Sequence, residues 1–347
     1  MLPVISEGLD LPAPGQVVVW GNNDHRQVSG RPRGHGFTRI APGGATQGLA
    51  LGSDGIPVLW GGHLPPQTPI VPPLNLPTGE TYIEIALGAS FAAGIRASDG
   101  GIDTWGGGFA ATPFTKADLP PMSPTVKFIA LTVGGGHGVA ITEDRTLVQW
   151  GGTASGTPPN PEGRTFFEVR ARSSYSIARD DIGQLYGWGS GLFAPPGPKV
   201  LLDPPWEFID ADGGYWLHPG PFSAIAAGVR HVLALNADDD SVSGWGSDGD
   251  GESSGAPTGV KFSAVAAGRN FSIGLDRDAK LHHWGYRLQV TTVSSGTPRR
   301  GLLEAVPEGH FSAISAATMH ATALRRDLRV DPDTIVDRVI PDRPYRF

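Results

Sequence analysis

Three histidines, His137, His231 and His320, occupy the same place in a recurring pattern, and three imidazoles around one axis are the raw material of a metal site. Tyr175, Phe91, Phe271 and Gln47 hold that place elsewhere in the chain. A position that accepts Phe, Tyr and Gln as well as His is a structural position first. Each imidazole is expected to hydrogen-bond the backbone of its own unit, and no metal and no cofactor are expected. Asp210 and His218 lie in one irregular stretch and have the residue types of an acid–base pair, but no third partner is identifiable. Asp248-Gly-Asp-Gly-Glu252 has the acidic residues of a calcium loop without the alternating ligand register or the terminal bidentate glutamate, so it reads as a turn. The chain has no cysteine, which excludes disulfides, thiolate nucleophiles and cysteine-based zinc sites.

Two sets of residues point to binding. Arg230, Arg269 and Asn270, with Arg172 and Ser174, stand just before the recurring position. If those positions share a face, they form a locally positive mouth suited to a carboxylate on a partner. Ordinary solvated loop polarity is the alternative, and the sequence weighs the two about evenly. The second set lies in residues 191–222, with Trp206, Asp210, Tyr215, Trp216 and His218. Exposed Trp and Tyr favour binding hot spots, although both tryptophans could equally tuck against neighbouring structure as a local core.

The elements that must position these residues are repeats. Trp-Gly pairs occur at Trp20, Trp60, Trp105, Trp150, Trp188, Trp245 and Trp284, 38 to 57 residues apart. The landmark residue (Gln47, Phe91, His137, Tyr175, His231, Phe271 or His320) follows a run of small residues. It precedes the next Trp by 13 or 14 residues, whereas the distance from Trp to the next landmark varies. A constant segment joined to a variable one is a hairpin plus a loop, and Ser53-Asp-Gly55 or Asp181-Ile-Gly183 supplies the hairpin turn. A third strand precedes each landmark, as in Phe222-Ser-Ala-Ile225 and Phe262-Ser-Ala-Val265. Seven such antiparallel units describe an all-β, seven-bladed β-propeller. The first Trp-Gly has no landmark before it and the last landmark, His320, has no Trp-Gly after it. The N-terminal strand at Gln16–Trp20 is therefore predicted to pair with the C-terminal strands and close the ring. Each Trp is expected to wedge between neighbouring sheets.

The pattern Ala-Ala-Gly-x-x-His-x-x-Ala-Leu, a turn, then Trp-Gly resembles the repeat of the regulator of chromosome condensation family. The fullest copy is Ile225–Leu235 with Gly244-Trp-Gly246. The compact units and Trp20-Gly-Asn-Asn-Asp24 are nearest in style to bacterial β-lactamase-inhibitor propellers. The resemblance implies the propeller fold over about residues 15–325. It also brings three functions to weigh: Ran exchange, ultraviolet-B sensing and β-lactamase inhibition. The residues just before the landmarks are Thr46, Ser90, Gly136, Ser174, Arg230, Asn270 and Met319, with none of the inhibitor's aromatics. Val229 stands where the photoreceptor type has its chromophoric Trp.

The domain reading is an N-terminal extension (1–14), the propeller (15–325) and a tail (326–347). Net charge is −7, which argues against a dominant nucleic-acid surface, and no apolar run approaches a membrane span. No basic region followed by an apolar stretch opens the sequence, so a signal peptide is not visible; location stays open, with the cytoplasm the nearer expectation. The function expected is a non-enzymatic, monomeric binding scaffold for a protein or peptide, using one face and the 191–222 loop. The alternatives are an enzyme whose active site lies in the mouth under that loop, and an exchange-factor-like regulator of a small GTPase.

Overall fold

Seven repeats of one pattern give seven antiparallel blade sheets in the computed structural model, and a short two-stranded pair, His63–Leu64 with Thr68–Pro69, follows the first of them. The structure describes residues 14–43, 46–64, 68–69, 79–89, 91–106, 125–151, 158–190, 207–209, 214–286 and 306–326. Blade 1 is Phe37–Gly43, Gln47–Gly52 and Pro57–Gly61; blade 2 is Tyr82–Leu87, Phe91–Arg96 and Ile102–Gly106. Blade 3 is Phe128–Val133, His137–Thr142 and Leu147–Gly151; blade 4 is Phe166–Arg172, Tyr175–Asp180 and Leu185–Gly189. Blade 5 is Phe222–Ala227, His231–Asn236 and Val242–Gly246; blade 6 is Phe262–Ala267, Phe271–Asp276 and Leu281–Gly285. Blade 7 takes Phe311–Ala316 and His320–Arg325 from one end of the sequence and Gln16–Gly21 from the other. Gln16 pairs with Arg325 and Gly21 with His320, so the ends meet in the predicted register. The first strands of successive blades pack side by side, and that of blade 1 packs on that of blade 7. The circle leaves no open array of sheet edges at its two ends.

Every first strand begins at a buried aromatic, from Phe37 to Phe311, and carries an irregularity in register just after it. Such bulges sharpen the twist a blade needs as it narrows toward the axis. Each Trp then fills the junction with the preceding blade. Trp105 packs on Leu49 and Leu51, Trp150 on Phe91 and Ile95, and Trp188 on Val139 and Ile141. Trp60 closes the circle by packing on Val17, Val19 and Leu324. The core is thus seven inter-blade clusters, each holding one Trp of the Trp-Gly series; truncating a fully buried one to Ala costs about 3–5 kcal/mol. The indole lies over a glycine of the adjacent strand, Gly48 under Trp60 and Gly138 under Trp150, where a Cβ would collide with the ring. The glycine after the Trp takes a left-handed φ, 95° at Gly151 and 105° at Gly189, which turns the backbone out of the sheet.

Candidate binding site at the axial mouth

On one face of the ring, the first strand of a blade leads into the second, which begins at the landmark, through a tight turn where the residues are described. His137, His231, His320, Tyr175, Phe91 and Phe271 are buried beneath that face. The two histidines with a resolved side-chain partner reach the next blade, not their own, and this corrects the sequence expectation. His137 Nε2 is 2.8 Å from Ser176 Oγ and His231 Nε2 is 2.9 Å from Ser272 Oγ, each serine directly following the next landmark. The Tyr175 hydroxyl does the same, donating to Gly228 O at 2.7 Å and His231 O at 3.2 Å. The reason is steric. The His137 and His231 rings lie over their own unit's Gly134 and Gly228, and their far nitrogens emerge at the neighbouring blade. The turns are tied together as well: Gly135 N donates to Ser173 O at 2.7 Å and Val229 N to Gly268 O at 2.9 Å.

Burial pushes His137, His231 and His320 down to about 4, so all three are neutral at pH 7. They sit in blades 3, 5 and 7, separated by intervening sheets. Among the described residues, no three His, Asp or Glu side chains gather where they could hold a metal ion.

Above the landmarks lies a cavity of about 210 Å³, lined by Arg172, Ser173, Arg230, Arg269 and Thr318 with the turn backbone of blades 2 and 3. Arg230 and Arg269 are exposed and Arg172 is half-buried. Ser173 takes a φ of 49°, a conformation few non-glycine residues adopt, in the turn that places Arg172. Behind the mouth runs the axial cavity of about 300 Å³, walled by the first strands of all seven blades; Arg172 lines both spaces. The channel's other charged residues are already compensated. Arg39 Nε lies 3.3 Å from Glu84 Oε2, and Arg170 Nη2 lies 2.7 Å from Glu168 Oε1. Burial raises the Glu84 carboxyl, with Arg39 the main opposing influence.

Asn270 faces elsewhere: its Nδ2 donates to Asp250 Oδ2 at 2.8 Å. That contact belongs to the acidic turn, which is a structural strap. Glu252 is 1% exposed; its carboxylate accepts from Ser247 Oγ and Asp250 N, and its carbonyl accepts from Trp284 Nε1 at 3.0 Å. The same device recurs seven residues after Trp20, where Gln27 O accepts from Trp60 Nε1 at 2.8 Å. The shared spacing was the signal for this strap in the sequence.

Tyr215–His218 adds a fourth strand to the outer edge of blade 4, pairing His218 with Leu185 and Trp216 with Gly187, and Glu207–Ile209 adds a fifth. The Tyr215 ring lies 5.5 Å from Tyr186. Trp216 packs half-buried against the cluster containing Tyr175 and Ile177. His218 is buried between Phe222 and Trp245, at 4.9 and 4.8 Å, and burial lowers it to about 4. The described part of residues 191–222 therefore lies at the rim. It does not roof the mouth, because pairing with the third strand carries it away from the axis. Trp206 and Asp210 lie outside the described residues.

No family model matches the protein. Among curated proteins, mouse E3 ubiquitin-protein ligase HERC2 is 27% identical over 274 residues, covering 69% of this chain and 5% of that protein. Human HERC2 is 27% identical over 191 residues, 46% of this chain and 4% of that protein. The chain thus spans only about a twentieth of the length of these relatives. Among solved structures, Prp20p of Saccharomyces cerevisiae, studied with its binding to Gsp1p and histones, matches with a TM-score of 0.64 at 16% identity, covering 91% of this chain and 92% of that one. Yeast RCC1 (Prp20) bound to Kap60 matches with a TM-score of 0.64 at 16% identity, covering 90% of each chain. The fold is that of an RCC1-like β-propeller. Human WBSCR16 gives a TM-score of 0.62 at 14% identity, covering 90% of this chain and all of that one. In this RCC1-like propeller the landmark residues lock blade to blade, and the arginine mouth is what they hold in place.

Proposed function

We propose that this RCC1-like propeller is a non-enzymatic binding scaffold that takes a protein or peptide on the face carrying Arg230 and Arg269. One observation carries the reading: a concave, positively charged mouth on a protein of net charge −7. The ion pairs among the described residues involve other arginines and His282, so the mouth's charge is left for a partner. Acid–base chemistry is less well supported, because the histidines nearest the mouth are buried and held neutral. Solved relatives of the same fold are named with protein partners, Gsp1p, histones and Kap60, which makes a protein partner the natural class. A small GTPase, the exchange-factor-like alternative, falls within that class. Fold alone does not choose among partners.

The test is affinity capture with the wild-type protein and an Arg230→Glu/Arg269→Glu variant of equal unfolding temperature. Exposed charge reversals leave the fold intact. The reading expects a partner captured by the wild type and lost by the variant. Equal capture by both would refute this face as the binding surface.

A further inference from the structure

Three positions before each landmark, six of the seven repeats carry a small residue: Gly44, Gly88, Gly134, Gly228, Gly268 and Ala317. Blade 4 carries Arg172 there. Where described, the glycines are closely packed: a Cβ at Gly134 or Gly228 would meet that unit's own landmark imidazole, and one at Gly88 would meet the Gly134 carbonyl. An arginine at this closely packed position is therefore a departure from what the repeat requires for folding.

The side chain has an unusual situation. Arg172 Nη2 reaches across the axis to Thr318 Oγ1 of blade 7, at 3.4 Å, and no described carboxylate lies within ion-pair distance. Guanidinium offers five donors and remains charged. Its charge also acts on its surroundings, adding to the lowering of both His231 and His320. The carboxylates of the nearby acidic turn make no ion pair with it and are held by their own turn. Asp248 accepts from Ser253 and Ser254, Glu252 from Ser247 and Asp250, and Asp250 from Asn270. Arg230 and Arg269 flank the opening above.

We propose that Arg172 is the floor of an anion subsite that receives one carboxylate from the partner, either an acidic side chain or the partner's C-terminal carboxylate, with Arg230 and Arg269 at the rim. This rests on the binding-scaffold reading and names the group recognised. A cavity of about 210 Å³ admits one side chain or one peptide terminus and is too small for a folded segment. A single half-buried fork matches one planar carboxylate through two parallel hydrogen bonds.

The experiment follows the Arg172 Nε–Hε resonance of the full-length protein by nitrogen-15 NMR at constant ionic strength. The resonance is assigned by its loss in Arg172→Gly, which restores the residue the repeat carries elsewhere. The probes are succinate, acetyl-Gly-Glu-Gly-amide, and Gly-Gly-Gly as free acid and as amide. A saturable shift with succinate and with either the glutamyl peptide or the free-acid peptide supports the subsite, and the responding peptide identifies the source of the carboxylate. Binding by calorimetry should weaken at least about tenfold in Arg172→Gly, the loss of a charge-assisted contact. The proposal is overturned if sodium chloride gives the same shift, if phosphate binds more tightly than succinate, or if Arg172→Gly binds as the wild type does. The wild-type titration stands without any variant. A wild-type protein that captures a partner but binds none of the carboxylate probes would refute the subsite alone; a wild-type protein that binds the probes but captures no partner would refute the scaffold reading alone.

Discussion

Acid should unfold this propeller through its histidines. His137, His231 and His320 are 0% exposed and His218 is 7% exposed, and burial pushes each from 6.5 to about 4. Unfolded, each titrates at its ordinary value, so the unfolded state binds more protons from pH 6.5 down to pH 4. Their contribution is complete above pH 6.5 and is lost as pH falls toward 4. Between pH 7 and pH 5 each histidine removes about 2 kcal/mol, and the four together roughly 7 kcal/mol. That is comparable with the 5–15 kcal/mol that holds a typical domain folded. Glu84 and Asp180, whose carboxyls burial raises, work the other way and offset part of the loss. The carboxylates held low, Asp248 and Asp276, matter only below their ordinary value of 3.8. Urea midpoints at pH 7, 6 and 5 measure the effect. His320→Phe isolates one contributor, because Phe91 and Phe271 already fill the landmark position in blades 2 and 6. The variant should lose about 2 kcal/mol less than the wild type between pH 7 and pH 5. A flat wild-type profile, or identical profiles for both proteins, would refute the reasoning.

Two substitutions test the blade junctions. Tyr175→Phe keeps a landmark residue used elsewhere but leaves Gly228 O without its 2.7 Å donor; urea unfolding should show a loss of about 1–2 kcal/mol. Gly138→Ala drives a methyl into the Trp150 indole and should cost about 1–3 kcal/mol, read as a lower unfolding temperature with altered tryptophan fluorescence.

Spacing made the ring legible because a propeller's architecture is its period. Trp-Gly at one end of each unit and the landmark at the other fixed the sheets, and the unmatched half-units Val17–Trp20 and Ala316–His320 announced the closure. Contacts between units were less legible. Ser176 and Ser272 are ordinary residues in their own strands, and only the circular arrangement makes them partners of His137 and His231. Asn270 shares a sequence position with Arg230, yet the neighbouring acidic turn engages it. Tyr215, Trp216 and His218 stood out as an irregular aromatic stretch, but an added outer strand directs them onto blades 4 and 5. Arg172 was visible as a break in the small-residue pattern. Its reach across the axis to Thr318 was not, because 146 residues separate the two.

Closure of the circle by residues 16–21 makes one cooperative body out of seven sheets, and hydrogen exchange in a variant lacking residues 1–21 probes it most directly. A stack of repeats couples only neighbour to neighbour, whereas a closed ring loses two junctions at once when one strand is withdrawn. Amide protection should fall in all seven blades, blade 4 on the opposite side included. Loss confined to Phe311–Arg325, with blades 1 to 6 as protected as in the full-length protein, would contradict the account.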